Sequence, residues 1–306
     1  MTSETKIAYI FPGQGSQAQG MGKDLYTRYT SARDVFAEAD RALGFPLSSL
    51  CFEGPEDELT KTINVQPAIL AVSIAYLRAA QESCGSSLMP PDFVAGHSLG
   101  QYSALVAAGV LNLSEAIRLV RERGRLMHEA GQKTPGSMLA VIGSDEETIK
   151  KICAATGVQI SNINSPGQIV VSGTISALDE FKKLAVQQGI RRTIPLKVSG
   201  AFHSELMKPS VEGLKKAIFA CNFRQPEIPV ISNVTAEILT DGESIKKELV
   251  DQITSCVQWQ RSIENMIARG VTAFYEIGHG QVLGGLVKRI NSEVQIVHIA
   301  ELLKVL

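Results

Sequence analysis

A serine between two glycines, Gly96-His97-Ser98-Leu99-Gly100, follows the apolar run Phe93-Val94-Ala95 and precedes the helical pattern Gln101-Tyr102-Ser103-Ala104-Leu105-Val106. This is the sequence form of a nucleophile elbow, a sharp strand-to-helix turn that stands a serine hydroxyl at the carboxyl end of a sheet with the next backbone N–H facing it. The glycines let the chain turn there without a Cβ clash. Ser98 is therefore the first candidate for chemistry, and a serine hydroxyl needs an adjacent proton acceptor at neutral pH. Five histidines compete for that work. His97 adjoins Ser98 and is expected to point away from it. His128 falls at the edge of a helix's apolar face, where a solvated role fits better, and His298 lies inside a late apolar strand and reads as a packed core residue. His203, in Ser199-Gly200-Ala201-Phe202-His203-Ser204, and His279, in Ile277-Gly278-His279-Gly280-Gln281, both follow element ends and remain rivals, with His203 preferred.

An arginine supplies the clue to substrate. In the helix expected over residues 115–130, the 100° step gathers Ala116, Ile117, Leu119, Val120, Gly124, Leu126 and Met127 on one face, with Arg118, Arg121 and Arg125 opposite. Arg123 falls in the middle of the apolar face. A guanidinium cannot shed its proton, so burying it costs several kcal/mol unless acceptors meet it. Two readings follow: a structural ion pair to an internal Asp or Glu, or a planar fork held ready for a substrate carboxylate.

The elements needed to position these residues follow an α/β pattern. A strand over 7–11 meets the loop Pro12-Gly13-Gln14-Gly15-Ser16-Gln17, and helices are expected over 31–43, 66–83 and, from an N-cap at Ser114, 114–130. Residues 136–197 change character to strand, helix, strand, strand, helix, strand, which is the order of a ferredoxin-like unit. The earlier pattern then resumes, with strands near 230–232, 272–277 and 294–299 and helices near 245–253, 259–269 and 282–290. The expected architecture is a large α/β domain (1–134 and 199–306) carrying an inserted small domain (135–198), with an active cleft between them. Most acids between Ser98 and His203 belong to the insert, so an acidic third member in the order Ser, Asp or Glu, His is awkward.

Composition bounds the rest. The 306 residues are 44% hydrophobic, enough for a sizeable core, and the net charge of −1 gives no electrostatic footprint for nucleic acid or a membrane surface. Five scattered cysteines without Cys-x-x-Cys suggest neither disulfides nor a metal site. No signal peptide is visible at the N-terminus, and the apolar stretch 69–80 contains Arg78 and is too short to span a bilayer, so a cytoplasmic protein is expected. The spacing Gly13-x-Gly15-x-x-Ala18 mimics a dinucleotide fingerprint, but Asp34 and Glu38 fall in an expected helix rather than at a strand end, and Pro12 breaks the strand.

Taken together, Phe11-Pro12-Gly13-Gln14-Gly15-Ser16-Gln17, Gln66-Pro67-Ala68, Gly96-His97-Ser98-Leu99-Gly100, Arg123-Gly124, Asn164-Ser165-Pro166-Gly167-Gln168, Gly200-Ala201-Phe202-His203-Ser204 and Glu276-Ile277-Gly278 resemble the malonyl-CoA:acyl carrier protein transacylases of fatty acid synthesis and the related acyltransferases of polyketide synthesis. The resemblance runs along nearly the whole chain. It implies an α/β-hydrolase-like large domain with a ferredoxin-like insert. It also implies Ser98 as the acylated nucleophile, His203 as general base and acid, and the backbone N–H groups of Gln14 and Leu99 as the oxyanion hole. Arg123 would bind the malonyl carboxylate, the Gln252 carbonyl would orient the histidine in place of an acid, and Asn164 is a further candidate for substrate contact. Leu99 and Gly200-Ala201-Phe202-His203 look like the malonyl rather than the methylmalonyl type. Malonyl-CoA and acyl carrier protein are the implied partners of a monomer needing no cofactor or metal, with Arg191, Arg192, Lys197, Lys288 and Arg289 as candidate contacts for an acidic carrier. A serine hydrolase would share the elbow and base, and a non-catalytic docking subunit could share the surface. Two positions depart from the family pattern: Gln101 stands where Glu is usual after the elbow, and Cys256 where Pro often precedes Val-x-Trp.

Overall fold

A computed structural model describes residues 5–304. Side chains of the first strand, Lys6–Phe11, alternate between two cores: Ile7, Tyr9 and Phe11 join one hydrophobic cluster, Ala8 and Ile10 another. A strand buried on both faces belongs to a sheet covered by helices on both sides. Among the described residues the strands are β1 (Lys6–Phe11), β2 (Phe93–Gly96), β3 (Ser137–Ile142), β4 (Gln159–Ser165), β5 (Gln168–Gly173), β6 (Arg192–Pro195), β7 (Val230–Ile231), β8 (Ile238–Leu239), β9 (Val271–Glu276) and β10 (Gln295–His298). The large sheet has the order β10-β9-β1-β2-β7-β8 and is parallel except for the β7–β8 edge. β1 and β2 run in register with Phe11 opposite Gly96, so the loop after β1 and the elbow after β2 leave the same end of the sheet.

The second sheet, β4-β5-β3-β6, is antiparallel. One face packs Leu139, Val141 and Val171 against Ile149, Ile152 and Phe181 of the helices Glu146–Thr156 and Ile175–Gln187. Its opposite face presents Met138, Ala140 and Val170 to the large domain's core. The fold is thus an α/β-hydrolase-like domain with a ferredoxin-like insert. The two are stitched together: Val257 bridges to Asn162, with its N–H donating to the Ser161 carbonyl at 2.9 Å and its carbonyl accepting from Ile163 N at 2.9 Å.

Several boundaries differ from those the sequence suggests, each for a local reason. Asn112, not Ser114, caps the helix Leu113–Lys133: its side chain accepts from Glu115 N at 2.8 Å and returns a bond to the Glu115 carboxylate at 2.6 Å. Ser114 Oγ donates instead to Glu38 of the helix Thr30–Leu43 at 2.7 Å. The long core helix begins at Thr62 rather than Gln66 and tolerates Pro67. Proline strips the Ile63 carbonyl of its i+4 donor, and Arg121 Nη1 fills the vacancy at 2.9 Å. This helix, Thr62–Cys84, is also longer than the apolar stretch 69–80: a window within 62–87 is apolar enough (mean hydropathy 1.3) to cross a membrane, and 83% of that window lies buried inside the fold. Short helices at Lys23–Arg28, Leu47–Glu53, Glu56–Thr60 and Ile299–Leu303, and the longer Lys208–Phe219, were not expected from the sequence.

Candidate active site

The elbow brings β2 into the helix Gly100–Ala107, and Ser98 at its tip adopts φ +52°. That left-handed backbone costs a β-carbon-bearing residue about 1–2 kcal/mol, and it turns the hydroxyl outward. The flanking glycines serve close packing rather than the turn itself. A Cβ on Gly96 would lie 1.9 Å from the Gly100 carbonyl carbon, and one on Gly100 2.0 Å from the Phe11 carbonyl oxygen. Side chains from distant segments hold both backbone groups of Ser98. Its N–H donates to Asn233 Oδ1 at 2.7 Å, and its carbonyl accepts from Gln252 Nε2 at 3.1 Å. Asn233 Nδ2 donates in turn to the Gly96 carbonyl at 2.7 Å, which fixes the orientation of that amide.

His203 is the histidine that reaches the serine. Its Nε2 lies 2.7 Å from Ser98 Oγ and its Nδ1 2.8 Å from the Gln252 carbonyl. The carbonyl can only accept, so Nδ1 carries the proton and Nε2 is free to take one from the hydroxyl. His203 too has a left-handed backbone, φ +56°, and is buried. Burial, then the nearby Arg123 charge, pushes its pKa down to about 3, against a smaller opposing effect of the Gln252 carbonyl. The imidazole is therefore neutral at physiological pH.

His97 points away from Ser98 as expected, donating from Nε2 to Asn164 Oδ1 at 2.8 Å across the domain junction, and its ring meets Trp259 edge-on at 5.5 Å. Asn164 lines the cleft but uses its carbonyl to hold the elbow. His279 is half-buried and outside the cavity lining, His128 pairs with Gln132, and His298 is half-buried, 3.3 Å from the buried Glu276 carboxylate.

Arg123 is 1% exposed, and no carboxylate lies within ion-pair distance of it among the described residues. Its Nη1 donates to Gln66 Oε1 at 2.8 Å. Its Nη2 donates to Gln252 Oε1 at 3.0 Å and to Ser98 Oγ at 3.2 Å, while Nε has no acceptor. The ring of Tyr102 lies 5.5 Å from the guanidinium carbon. A cation buried against neutral amides, with a donor left over and the serine oxygen in reach, is short of one anion.

Ser98, Arg123 and His203 line a cavity of about 260 Å³ between the domains. Gln14 and Leu99 lie on its wall, and their N–H groups donate to no protein acceptor among the described residues. Met138, Ala140 and Val170 of the insert face Phe202 and Met127 of the large domain across it. Among the described residues no group of three or more His, Cys, Asp and Glu side chains could hold a metal ion.

The two departures from the family pattern have structural answers. Gln101 is fully buried and donates to Glu248 at 3.2 Å, so a carboxylate is present beside it after all. Cys256 leaves the backbone after Gln252 intact, because the Val257 bridge to β4 holds it. Sequence reasoning missed Asn233 and Glu248, which no motif marks, and gave Gln66 no role although its motif was noticed.

The acyl transferase domain family matches residues 8–304, so the fold and site above are those of an acyltransferase-domain protein. The chain is 48% identical over 302 residues to the malonyl CoA-acyl carrier protein transacylase of Bacillus subtilis (strain 168), covering 97% of this chain and 94% of that one. It matches the crystal structure of an acyl carrier protein S-malonyltransferase from Vibrio cholerae with a TM-score of 0.92 at 43% identity, over 96% of each chain. It also matches a malonyl-transacylase in complex with a type II PKS acyl-carrier protein, with a TM-score of 0.92 at 41% identity, again over 96% of each chain. The chain belongs to the malonyl CoA-acyl carrier protein transacylase family.

Proposed function

We propose that this protein transfers a malonyl group from malonyl-CoA to the phosphopantetheine thiol of acyl carrier protein through a malonyl ester of Ser98, in fatty acid or polyketide biosynthesis. The observation that carries this reading is the buried Arg123, which lacks a counter-anion among the described residues and reaches the serine oxygen at 3.2 Å. A malonyl carboxylate supplies the missing anion, and a neutral acyl chain leaves the cation unanswered.

Ser98 Oγ passes its proton to His203 Nε2 and attacks the thioester carbonyl. The oxyanion is received by the Gln14 and Leu99 N–H groups, each worth about 3 kcal/mol in such a role. His203 returns the proton to the departing coenzyme A thiolate. The carrier's thiol then gives its proton to His203 and attacks the malonyl-serine ester, reversing the first half. The Gln252 carbonyl keeps the imidazole in the required tautomer throughout, and Asn164 keeps the elbow against the insert. No cofactor takes part.

The domain boundaries follow this division of labour: residues 1–134 and 199–306 form the catalytic domain and 135–198 the insert. We place the protein in the cytoplasm as a monomer that engages neither nucleic acid nor membrane. Arg191, Arg192, Lys197, Lys288 and Arg289 are exposed, and they are the contacts we assign to the acidic carrier.

Incubation with malonyl-CoA or acetyl-CoA, followed by intact-mass measurement and adduct mapping, tests the reading. A malonyl adduct on Ser98 that moves to added carrier protein is expected. Steady release of coenzyme A without an adduct would make the protein a hydrolase, and no reaction would leave it a binding subunit.

A further inference from the structure

Glu248, in the helix Gly242–Asp251, is a carboxylate only 5% exposed and without a cationic partner among the described residues. It accepts from Ser232 Oγ at 2.6 Å, Asn233 N at 2.7 Å, Val234 N at 3.1 Å and Gln101 Nε2 at 3.2 Å. A carboxylate accepts and never donates, so Gln101 must turn its NH₂ toward Glu248 and its carbonyl the other way. That carbonyl accepts from Gln252 Nε2. Gln252 is in turn forced to aim Oε1 at Arg123, which it does at 3.0 Å. The Ser98 carbonyl, accepting from the same Gln252 Nε2 at 3.1 Å, reinforces that direction, and the two amides run aligned from a buried anion to a buried cation.

We infer that Glu248 is a positioning residue for acid selectivity, acting on Arg123 through the aligned amides of Gln101 and Gln252. The inference rests on the malonyl reading above. It explains why Gln101 is tolerated where the family pattern carries Glu: the anion enters the same pocket from another helix. The Glu248 oxygen that Gln101 meets also accepts the Asn233 and Val234 N–H groups, so a glutamine at 248 would keep an oxygen there; with Met at position 248 the acceptor is gone and the Gln101 amide is free to reverse. Gln252 would then face an NH₂ in place of the Gln101 carbonyl and be held toward Arg123 only by the Ser98 carbonyl. Transfer of an acid-bearing group depends on Arg123 being held in place, whereas transfer of acetyl does not.

The test compares initial rates of Ser98 acylation by malonyl-CoA and by acetyl-CoA in the full-length protein, read by intact mass. Glu248→Met is expected to lower the malonyl-to-acetyl ratio by about tenfold, the scale of one mispaired hydrogen bond to a charged group. Gln101→Met cuts the relay while leaving Glu248 on Ser232, Asn233 and Val234, and is expected to do the same. The exchange Gln101→Glu with Glu248→Met restores an acceptor-only group beside Gln252 and is expected to recover the ratio, whereas Gln101→Glu alone crowds two carboxylates together and does not. Equal losses for both donors in Glu248→Met and Gln101→Met, or a double variant that regains thermal stability without regaining the ratio, would overturn the inference and leave the malonyl reading standing. A wild-type protein that takes no malonyl group would overturn both.

Discussion

Lowering the pH tests the base directly, because the burial of His203 makes an unusual demand. An ordinary histidine, with pKa near 6.5, is about 97% protonated at pH 5 and useless as a base. His203, held down to about 3 by burial and by Arg123, is still almost wholly neutral there. The acid limb of kcat/KM, which reports the free enzyme, is expected well below pH 5, and the limb of kcat higher, since a bound malonyl carboxylate neutralises the Arg123 charge. Stability moves with the same proton. The folded-state pKa is depressed, so the unfolded chain binds the proton first as pH falls below 6.5, and stability declines from there until the folded pKa is reached. The full interval corresponds to about 5 kcal/mol, of the order of the stability of a small domain, so acid destabilisation accompanies the approach to the site's own titration. The assay is single-turnover acylation by rapid quench from pH 4 to 8, with a circular-dichroism melt at each pH to separate unfolding from titration. A kcat/KM limb between pH 6 and 7 in protein that is still folded would refute the reasoning.

Arg123→Ala is expected to slow malonyl acylation by about 10²-fold or more, the loss of one or two hydrogen bonds between charged groups, and acetyl acylation far less; steady-state competition between the two donors reads this out. Asn233→Ala strands the Ser98 N–H and the Gly96 carbonyl in a buried site at a cost of about 1–3 kcal/mol each, so both donors should lose rate together and the melting temperature should drop. Asn112→Ala removes the cap of the helix that carries Arg123, with an expected stability loss of about 1 kcal/mol by urea denaturation and unchanged donor preference.

Much of this arrangement is legible in the sequence because its physics is local. The elbow declares itself through a strand, two glycines and a helix, and Arg123 through its position on a 100° wheel. The order of strands and helices in the insert reveals its fold before any contact is known. What sequence periodicity cannot carry is pairing across the chain. Asn233 and Glu248 look like ordinary polar residues until folding sets them against Ser98 and Gln101. The choice between His203 and His279 rests on which loop meets the elbow in space. The cap at Asn112 was readable, since Glu115 stands three residues on, but Ser114 offered an equally plausible signal and only the contact with Glu38 explains why it was not used. Lys208–Phe219 carried its own signal in Pro209 followed by Val211, Leu214 and Ile218 at helical spacing.

The left-handed turn at Ser98 has a bearing on synthesis. The groups that hold it in place, Asn233 and Gln252, lie 135 and 154 residues further along the chain, and the base lies 105 residues on. A chain emerging N-terminus first therefore displays its serine long before anything can activate it. Reactivity waits until residues 203–252 close over the elbow, and a chain that ends before them carries Ser98 with no base beside it.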